Sequence, residues 1–159
     1  MRNKQKGFSL IELLIVVAII LIIAAIAIPN LLRAKMAANE ASAVGSLRTL
    51  NTASVEYSTS YGGYPTSLAV LGPIASGGTA SSGLADLIDS VLSGGTKSGY
   101  SFTYTKGATD SNGNVLAYTI TSQPTSPGTT GQRYFFTDQS GVIRADPAAA
   151  ATVTSTPIS

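Results

Sequence analysis

The sequence predicts an α+β protein in which one long amino-terminal helix packs on a carboxy-terminal antiparallel sheet. Three observations predict this fold class. An apolar run covers residues 8–28, an amphipathic pattern with a period of three to four follows over residues 30–61, and an alternating pattern begins at Tyr100. Because the helix changes from apolar on all sides to apolar along one stripe, only its second half is expected to pack on the sheet.

The apolar run has the length of a membrane-spanning helix. Residues 8–28 at about 1.5 Å each span roughly 30 Å, which is the thickness of the hydrocarbon of a bilayer. Arg2, Lys4 and Lys6 precede the run and are expected to stay in the cytoplasm by the positive-inside rule. The sequence therefore predicts a single-pass membrane protein whose amino terminus is cytoplasmic and whose later residues face the far side.

Glu12 lies inside the apolar run, where a carboxylate is costly and usually has a partner. The sequence has no other charge between Lys6 and Arg33. Cleavage after Gly7 would create an α-amino group at Phe8, about one helical turn before Glu12. That amine could pair with the Glu12 carboxylate of the same chain or of a neighbouring subunit. Because the amine exists only after cleavage, either pairing requires cleavage after Gly7.

Residues 7–12, Gly-Phe-Ser-Leu-Ile-Glu, and the apolar run after them resemble the class III signal of type IV pilins and type II secretion pseudopilins. The resemblance implies cleavage between Gly7 and Phe8 by prepilin peptidase, N-methylation of Phe8, and use of Glu12 to register incoming subunits. It also implies a pilin-like fold and a single-pass precursor in the bacterial inner membrane. Inner-membrane assembly machinery would build the precursor into a homo-oligomeric filament in the periplasm or at the cell surface.

Pro29 predicts a local break in the long helix. Its ring clashes with the carbonyl of Ala25 and it donates no hydrogen bond, which costs about 3 kcal/mol in a helix interior. In related filaments the helix is thought to melt between a glycine and this proline, but Leu21 stands where many relatives carry that glycine. We predict melting or a kink over residues 25–29, and Leu21 leaves its extent open.

Two other interpretations use the same residues. A secretory signal peptide also has a basic start and an apolar core, and residues 25–27 offer a small-x-small cleavage site. Glu12 within the core and the length of the run argue against it. An uncleaved membrane anchor fits the length of the run but leaves Gly7 and Glu12 without a role.

Composition argues against an enzyme and against nucleic acid as a primary partner. The 159-residue chain has no cysteine and no histidine, so disulfides, the usual zinc ligands and the commonest general base are missing. Its formal charge is +2, but three of the ten cations lie in residues 1–7. The other seven cations are scattered along a chain that has eight acids. The sequence therefore shows no basic patch that could neutralise phosphates.

The order of the remaining elements follows from turn signals and periodicity. Gly62, Gly63 and Pro65 end the long helix. A short helix is predicted at 84–93 after a Ser82 cap, and strands are predicted at 100–105, 116–121, 132–137 and 142–144. The predicted organisation is a cleaved leader (1–7), a hydrophobic transmembrane and assembly helix (8–29), its amphipathic continuation (30–61), an α+β head (62–144) and a flexible tail (145–159).

Two loops of the head are candidate functional regions. Asp110, Asn112 and Asn114 place oxygen side chains at alternate positions, which a Ca²⁺ site could use, and major pseudopilins resemble calcium binders in such a loop. However, the EF-hand spacing is missing and Asn112-Gly113 is a common turn dipeptide. We expect no cofactor and leave calcium open. The loop at 123–131 is expected to be an exposed filament surface.

The sequence thus predicts a structural subunit of a type IV pilus or a type II secretion pseudopilus. Many type IV pilins close a carboxy-terminal loop with a cysteine pair, so its absence favours a pseudopilin, whereas the loops rich in Ser, Thr and Gly suit an exposed pilus. An alternative of another class is a membrane-anchored extracytoplasmic binding domain that never polymerises. This alternative predicts that Glu12 can be replaced without consequence.

Overall fold

The computed structural model describes residues 8–74, 76 and 78–158. A long helix, α1, covers Leu10–Tyr61, and two short helices follow, α2 at Leu68–Leu71 and α3 at Ser90–Ser93. The strands are β1 (Thr96–Lys97), β2 (Tyr100–Lys106), β3 (Tyr118–Pro124), β4 (Tyr134–Asp138), β5 (Arg144–Asp146) and β6 (Thr156–Pro157). The predicted fold class, a long apolar helix followed by an antiparallel sheet, is confirmed.

The described residues form two compact units, with the boundary between Lys35 and Met36. In the first unit, helix α1 exposes its large apolar side chains from Leu10 to Leu32, and Phe8 before the helix is exposed as well. We predicted melting or a kink over residues 25–29. The helix continues through Pro29, so the melting is absent from this structure, whereas the kink stays a prediction. Proline removes a single N–H donor, and the hydrogen bonds on either side of it are sufficient to keep a long helix continuous.

In the second unit, helix α1 packs one stripe on the sheet. The buried apolar residues of the stripe recur every three to four positions, at Ala43, Leu47, Leu50, Ala53 and Tyr57. They share one core with the inward side chains of the central strands, Tyr100, Phe102, Tyr118, Ile120 and Phe135. Full burial of a leucine in such a core contributes roughly 1.5–3 kcal/mol, so the stripe fixes which face of the helix meets the sheet.

The six strands form one antiparallel meander in the order β1-β2-β3-β4-β5-β6. Strand β2 pairs with β3 along its whole length, and β3 pairs with β4 from Thr119↔Asp138 to Ser122↔Phe135. Strand β3 begins two residues later than predicted because the N–H of Leu116 donates to Ala108 O inside the preceding loop. The alternation of inward and outward side chains nevertheless agrees with the predicted period of two.

The helix predicted at 84–93 is mostly absent. Only Ser90–Ser93 is helical, and Asp86 has a left-handed φ of 56° that interrupts a regular helix. The N–H groups before α3 donate instead to carbonyls of the α2 region, through Ala85→Val70, Asp86→Gly72, Leu87→Leu71 and Ile88→Leu71. Ile88 and Leu92 are buried, but Leu84 and Val91 are exposed, so the helical spacing of these apolar residues did not predict which of them face the core.

The carboxy-terminal segment differs from the flexible tail that the composition predicted. Arg144 pairs with Pro157 and Ala145 pairs with Thr156, which makes β6 an edge strand. The N–H of Ile158 donates to Ile143 O at 2.8 Å, and the Ile158 side chain packs against the core. Backbone pairing with β5 orders a segment whose composition, rich in Ala, Ser and Thr, is typical of disorder.

Candidate assembly site

Glu12 lies in the first turn of α1, and that turn satisfies part of its carboxylate. Glu12 Oε2 accepts a hydrogen bond from the backbone N–H of Ser9 at 2.9 Å. The spacing Ser-x-x-Glu is that of a capping box, in which a side chain satisfies a free N–H group at the start of a helix. The positive end of the helix dipole also favours a negative charge there. We did not predict this contact from the sequence, although the Ser-x-x-Glu spacing of Ser9 and Glu12 indicates it.

Of the two predicted processing residues, the structure describes one. Phe8 is 85% exposed and directly precedes Ser9, whereas Gly7 falls outside the described residues. The ion pairs within the described ranges are Lys97–Asp89 and Arg133–Glu40, so Glu12 has no cationic partner there. The α-amino partner that cleavage would create therefore stays a prediction.

The exposed apolar surface of the first unit is the second part of the site. Within the described ranges, α1 is the one helix that is long and apolar enough to cross a membrane, judged by length and composition. Its apolar side chains point in all directions, and Pro29 lies within them. A helix that is apolar all round must be covered all round, either by lipid or by other helices.

The candidate calcium loop is organised by its own aspartate. Asp110 Oδ1 accepts the backbone N–H groups of Asn112 and Asn114, both at 2.8 Å, and Oδ2 accepts Asn114 Nδ2 at 3.0 Å. The hydrogen bonds from Asn114 are the main reason why the pKa of Asp110 lies below its ordinary value. These contacts explain the residue pattern as a turn. Calcium binding stays a prediction, which calorimetric titration of the wild type and an Asp110→Asn variant can decide.

The loop at 123–131 is predicted to be an exposed surface. The end of this loop is hydrogen-bonded to helix α1. Asn39 Nδ2 donates to Thr130 O at 2.8 Å. The Glu40 carboxylate accepts the N–H groups of Gln132 and Arg133 and the Nε–H of Arg133, the last at 2.7 Å. The residues that follow the loop therefore belong to the packed second unit.

Comparison with known proteins identifies the amino-terminal segment. Residues 2–28 match the prokaryotic N-terminal methylation motif. This match covers the predicted processing residues Gly7 and Phe8, Glu12 and the whole apolar run at 8–28. The class of protein indicated by the helix and its first turn is therefore one that carries this amino-terminal motif.

Two curated relatives narrow the family. The chain is 68% identical over 40 residues to the type IV wide pilus major component PilA4 of Thermus thermophilus, covering 25% of this chain and 30% of that protein. It is 50% identical over 50 residues to the type IV major pilin protein PilA of Myxococcus xanthus, covering 31% and 23%. The matches span less than a third of the length of either relative. No solved structure matches. The motif and the relatives support a type IV pilin family for this chain, which confirms the predicted resemblance.

Proposed function

We propose that this chain is a structural subunit of a type IV pilus, assembled through its amino-terminal helix. The observation that carries the proposal is a helix whose apolar side chains from Phe8 to Leu32 are exposed and whose first turn holds the acid Glu12. Lipid would cover this surface before assembly, and the same helices of neighbouring subunits would cover it afterwards. The methylation motif and the two pilin relatives support this assignment.

The proposed path begins with a precursor inserted with its amino terminus in the cytoplasm. Prepilin peptidase cuts between Gly7 and Phe8 and methylates the new amino group of Phe8. The Ser9 N–H occupies Oε2 of Glu12, while Oε1 makes no hydrogen bond to another described residue. An incoming α-amino group can therefore bind Oε1 without displacing the cap.

Pairing of Glu12 with a neighbouring Phe8 would decide the register of assembly. Lipid tails are as apolar as leucine, so moving the helix from the bilayer into a bundle changes its hydrophobic free energy little. The remaining terms are side-chain packing and the removal of an unpaired carboxylate from an apolar environment, which costs a few kcal/mol. Glu12 is thus the residue that distinguishes a correctly placed neighbour from a shifted one.

The first experiment compares Glu12→Gln with Glu56→Gln in the cells that make the protein. Glu56 is an exposed acid on the same helix within the second unit, so it is a matched control. We expect Glu12→Gln to abolish filaments in a sheared surface fraction while the amount in the membrane is unchanged, and Glu56→Gln to leave both unchanged. The mature chain should begin at N-methylated Phe8. Normal filaments from Glu12→Gln, or a chain that begins near Pro29, would contradict the proposal.

The same fractions distinguish the alternatives. A surface pilus appears in the sheared fraction, whereas a secretion pseudopilus stays with the cell envelope. The relatives named as pilins support the first, and the lack of cysteine is compatible with the second. A membrane-anchored binding domain that never polymerises predicts an intact leader and no effect of Glu12→Gln.

A further inference from the structure

A small pocket with three tyrosines lies at the end of α1 within the second unit. Its volume is about 270 Å³. The side chains of Tyr57, Tyr61, Tyr64, Thr66, Ser82 and Asn114 line it, and we call it the tyrosine pocket. All of the lining residues belong to the second unit, and none of them is a residue of the assembly site described above.

Backbone contacts build the walls of the tyrosine pocket. Gly62 ends α1 with a left-handed φ of 80°, which turns the chain towards the loop before β3. The N–H of Tyr64 then donates to Val115 O at 2.9 Å. A Cβ atom at Gly63 would lie 2.9 Å from the Cβ of Asn114, so only glycine allows the two segments to come this close. The pocket is therefore formed before any ligand binds.

The tyrosine rings are held by contacts with one another, with Ser82 and with the core. The Tyr57 hydroxyl donates to Ser82 O at 2.7 Å, and the ring centroids of Tyr57 and Tyr61 are 4.7 Å apart. Tyr64 packs edge-on against the core residue Tyr118, with centroids 4.8 Å apart. Fixed aromatic rings bind apolar faces of ligands at a low cost in side-chain entropy.

The pocket also offers neutral hydrogen-bonding groups. The Asp110 carboxylate binds Asn114 Nδ2 at 3.0 Å, which orients the amide and leaves Asn114 Oδ1 as a free acceptor. Within the described part of the chain, the hydroxyls of Tyr61, Tyr64 and Thr66 make no hydrogen bond to another residue. Asp110 is thus a positioning residue, and the polar groups that face a ligand are hydroxyls and an amide oxygen.

The absence of charge among the lining residues narrows the ligand class. No charged residue lines the tyrosine pocket, whereas four larger grooves on the second unit each include one or more of Arg48, Glu56, Lys106 and Asp138. A ligand that suits it is uncharged, rich in hydroxyl groups and apolar on one face. We propose that the tyrosine pocket binds one neutral pyranose ring, such as the terminal sugar of a polysaccharide.

The test uses the full chain in lauryldimethylamine oxide, a detergent without a sugar headgroup that could occupy the site. Saturation-transfer NMR is recorded with the methyl glycosides of glucose, galactose and mannose, with N-acetylglucosamine, and with sorbitol as an acyclic polyol that lacks a rigid apolar face. Glucuronate serves as the charged comparison. We expect transfer to the ring C–H protons of at least one neutral pyranose and none to sorbitol or glucuronate.

Two variants locate the binding. Tyr61→Leu removes an aromatic ring and Thr66→Val removes an exposed hydroxyl, and each should weaken binding, Tyr61→Leu by roughly tenfold. Tyr134→Leu, a half-buried tyrosine on β4 outside the pocket, is the matched control and should bind as the wild type does. If Tyr61→Leu fails to fold, Thr66→Val decides.

Three results would overturn the proposal: no transfer to any pyranose, equal transfer to sorbitol, or full binding by both pocket variants. Because the measurement uses dispersed chains, its outcome is independent of filament assembly. The proposed pilus function and the proposed sugar site can therefore fail separately.

Discussion

Helix α1 carries glutamates in both compact units, Glu12 in the first and Glu40 in the second. Glu12 is exposed, and its recorded hydrogen bond comes from the Ser9 N–H. Glu40 is only 8% exposed and accepts three hydrogen bonds from Gln132 and Arg133. The carboxylate of Glu40 is thus satisfied within its own unit. Among the described residues, the carboxylate of Glu12 keeps one oxygen available to another molecule.

The apolar residues of the two units show the same difference. Leu50 in the second unit is completely buried, whereas Ile20 in the first unit is 58% exposed. Burial within the chain stabilises the second unit by itself, and the first unit depends on what surrounds it. The second part of α1 thus serves folding, and the first part presents the apolar surface that we propose serves assembly.

The largest expected effect comes from a matched pair of truncations in α1. Leu50→Ala removes completely buried methyl groups and should lower the free energy of unfolding of the second unit by about 3 kcal/mol. Ile20→Ala should change it by less than about 0.5 kcal/mol. All seven tyrosines lie at or after Tyr57, so near-ultraviolet circular dichroism during denaturant unfolding in detergent reports on the second unit alone. Equal losses in both variants would contradict the division into two purposes.

The next effect concerns the buried carboxylate. Glu40→Ala leaves the N–H groups of Gln132 and Arg133 without their acceptor and should cost about 2 kcal/mol, below the usual value for a fully buried pair because Arg133 is 45% exposed. The exposed acid Glu56 provides the control, since Glu56→Ala should change stability by less than about 0.5 kcal/mol. The same unfolding measurement compares them, and indistinguishable values would show that the Glu40 contacts do not stabilise the fold.

Whether a structural feature could be predicted depends on how far apart in the sequence its contacting residues lie. The long helix and the alternating strands extend over many residues, so their periodicity was sufficient to predict them. The contact between Glu40 and Arg133 joins residues 93 positions apart, and no local pattern indicates it. The segment before α3 and the strand β6 depend on backbone pairing with distant residues, so composition and spacing predicted them wrongly. The Ser9–Glu12 cap was local and could have been found.

A third prediction follows from the pKa of Glu40. Burial alone would raise this pKa, but hydrogen bonds from Gln132 and Arg133 lower it below the ordinary value of 4.5. A group whose pKa is lower in the folded state stabilises the fold above its unfolded pKa, and this contribution is lost as the pH falls through the folded pKa.

Acidification from pH 7 to below 4.5 should therefore destabilise the wild type more than Glu40→Gln, which has no carboxyl group at this position. Thermal midpoints recorded across this range measure the difference. Because Asp89, Asp110 and Asp146 also have lowered pKa values, the variant should keep part of the pH dependence. Identical pH profiles for the two proteins would assign the acid sensitivity to the aspartates instead of Glu40.

The smallest effect separates two roles of Asp89. Its Oδ1 accepts the N–H groups of Val91 and Leu92 at the start of α3, and its Oδ2 lies 2.9 Å from Lys97 Nζ. Asp89→Ala removes both contacts and should cost about 1 kcal/mol, mainly through the lost cap. Asp89→Asn keeps a cap acceptor and loses only an exposed ion pair, so it should cost a few tenths of a kcal/mol, about the limit of the unfolding measurement. If Asp89→Asn proved as destabilising as Asp89→Ala, the ion pair with Lys97 would hold α3 against β1, and charge would contribute to the second unit outside the Glu40 contact as well.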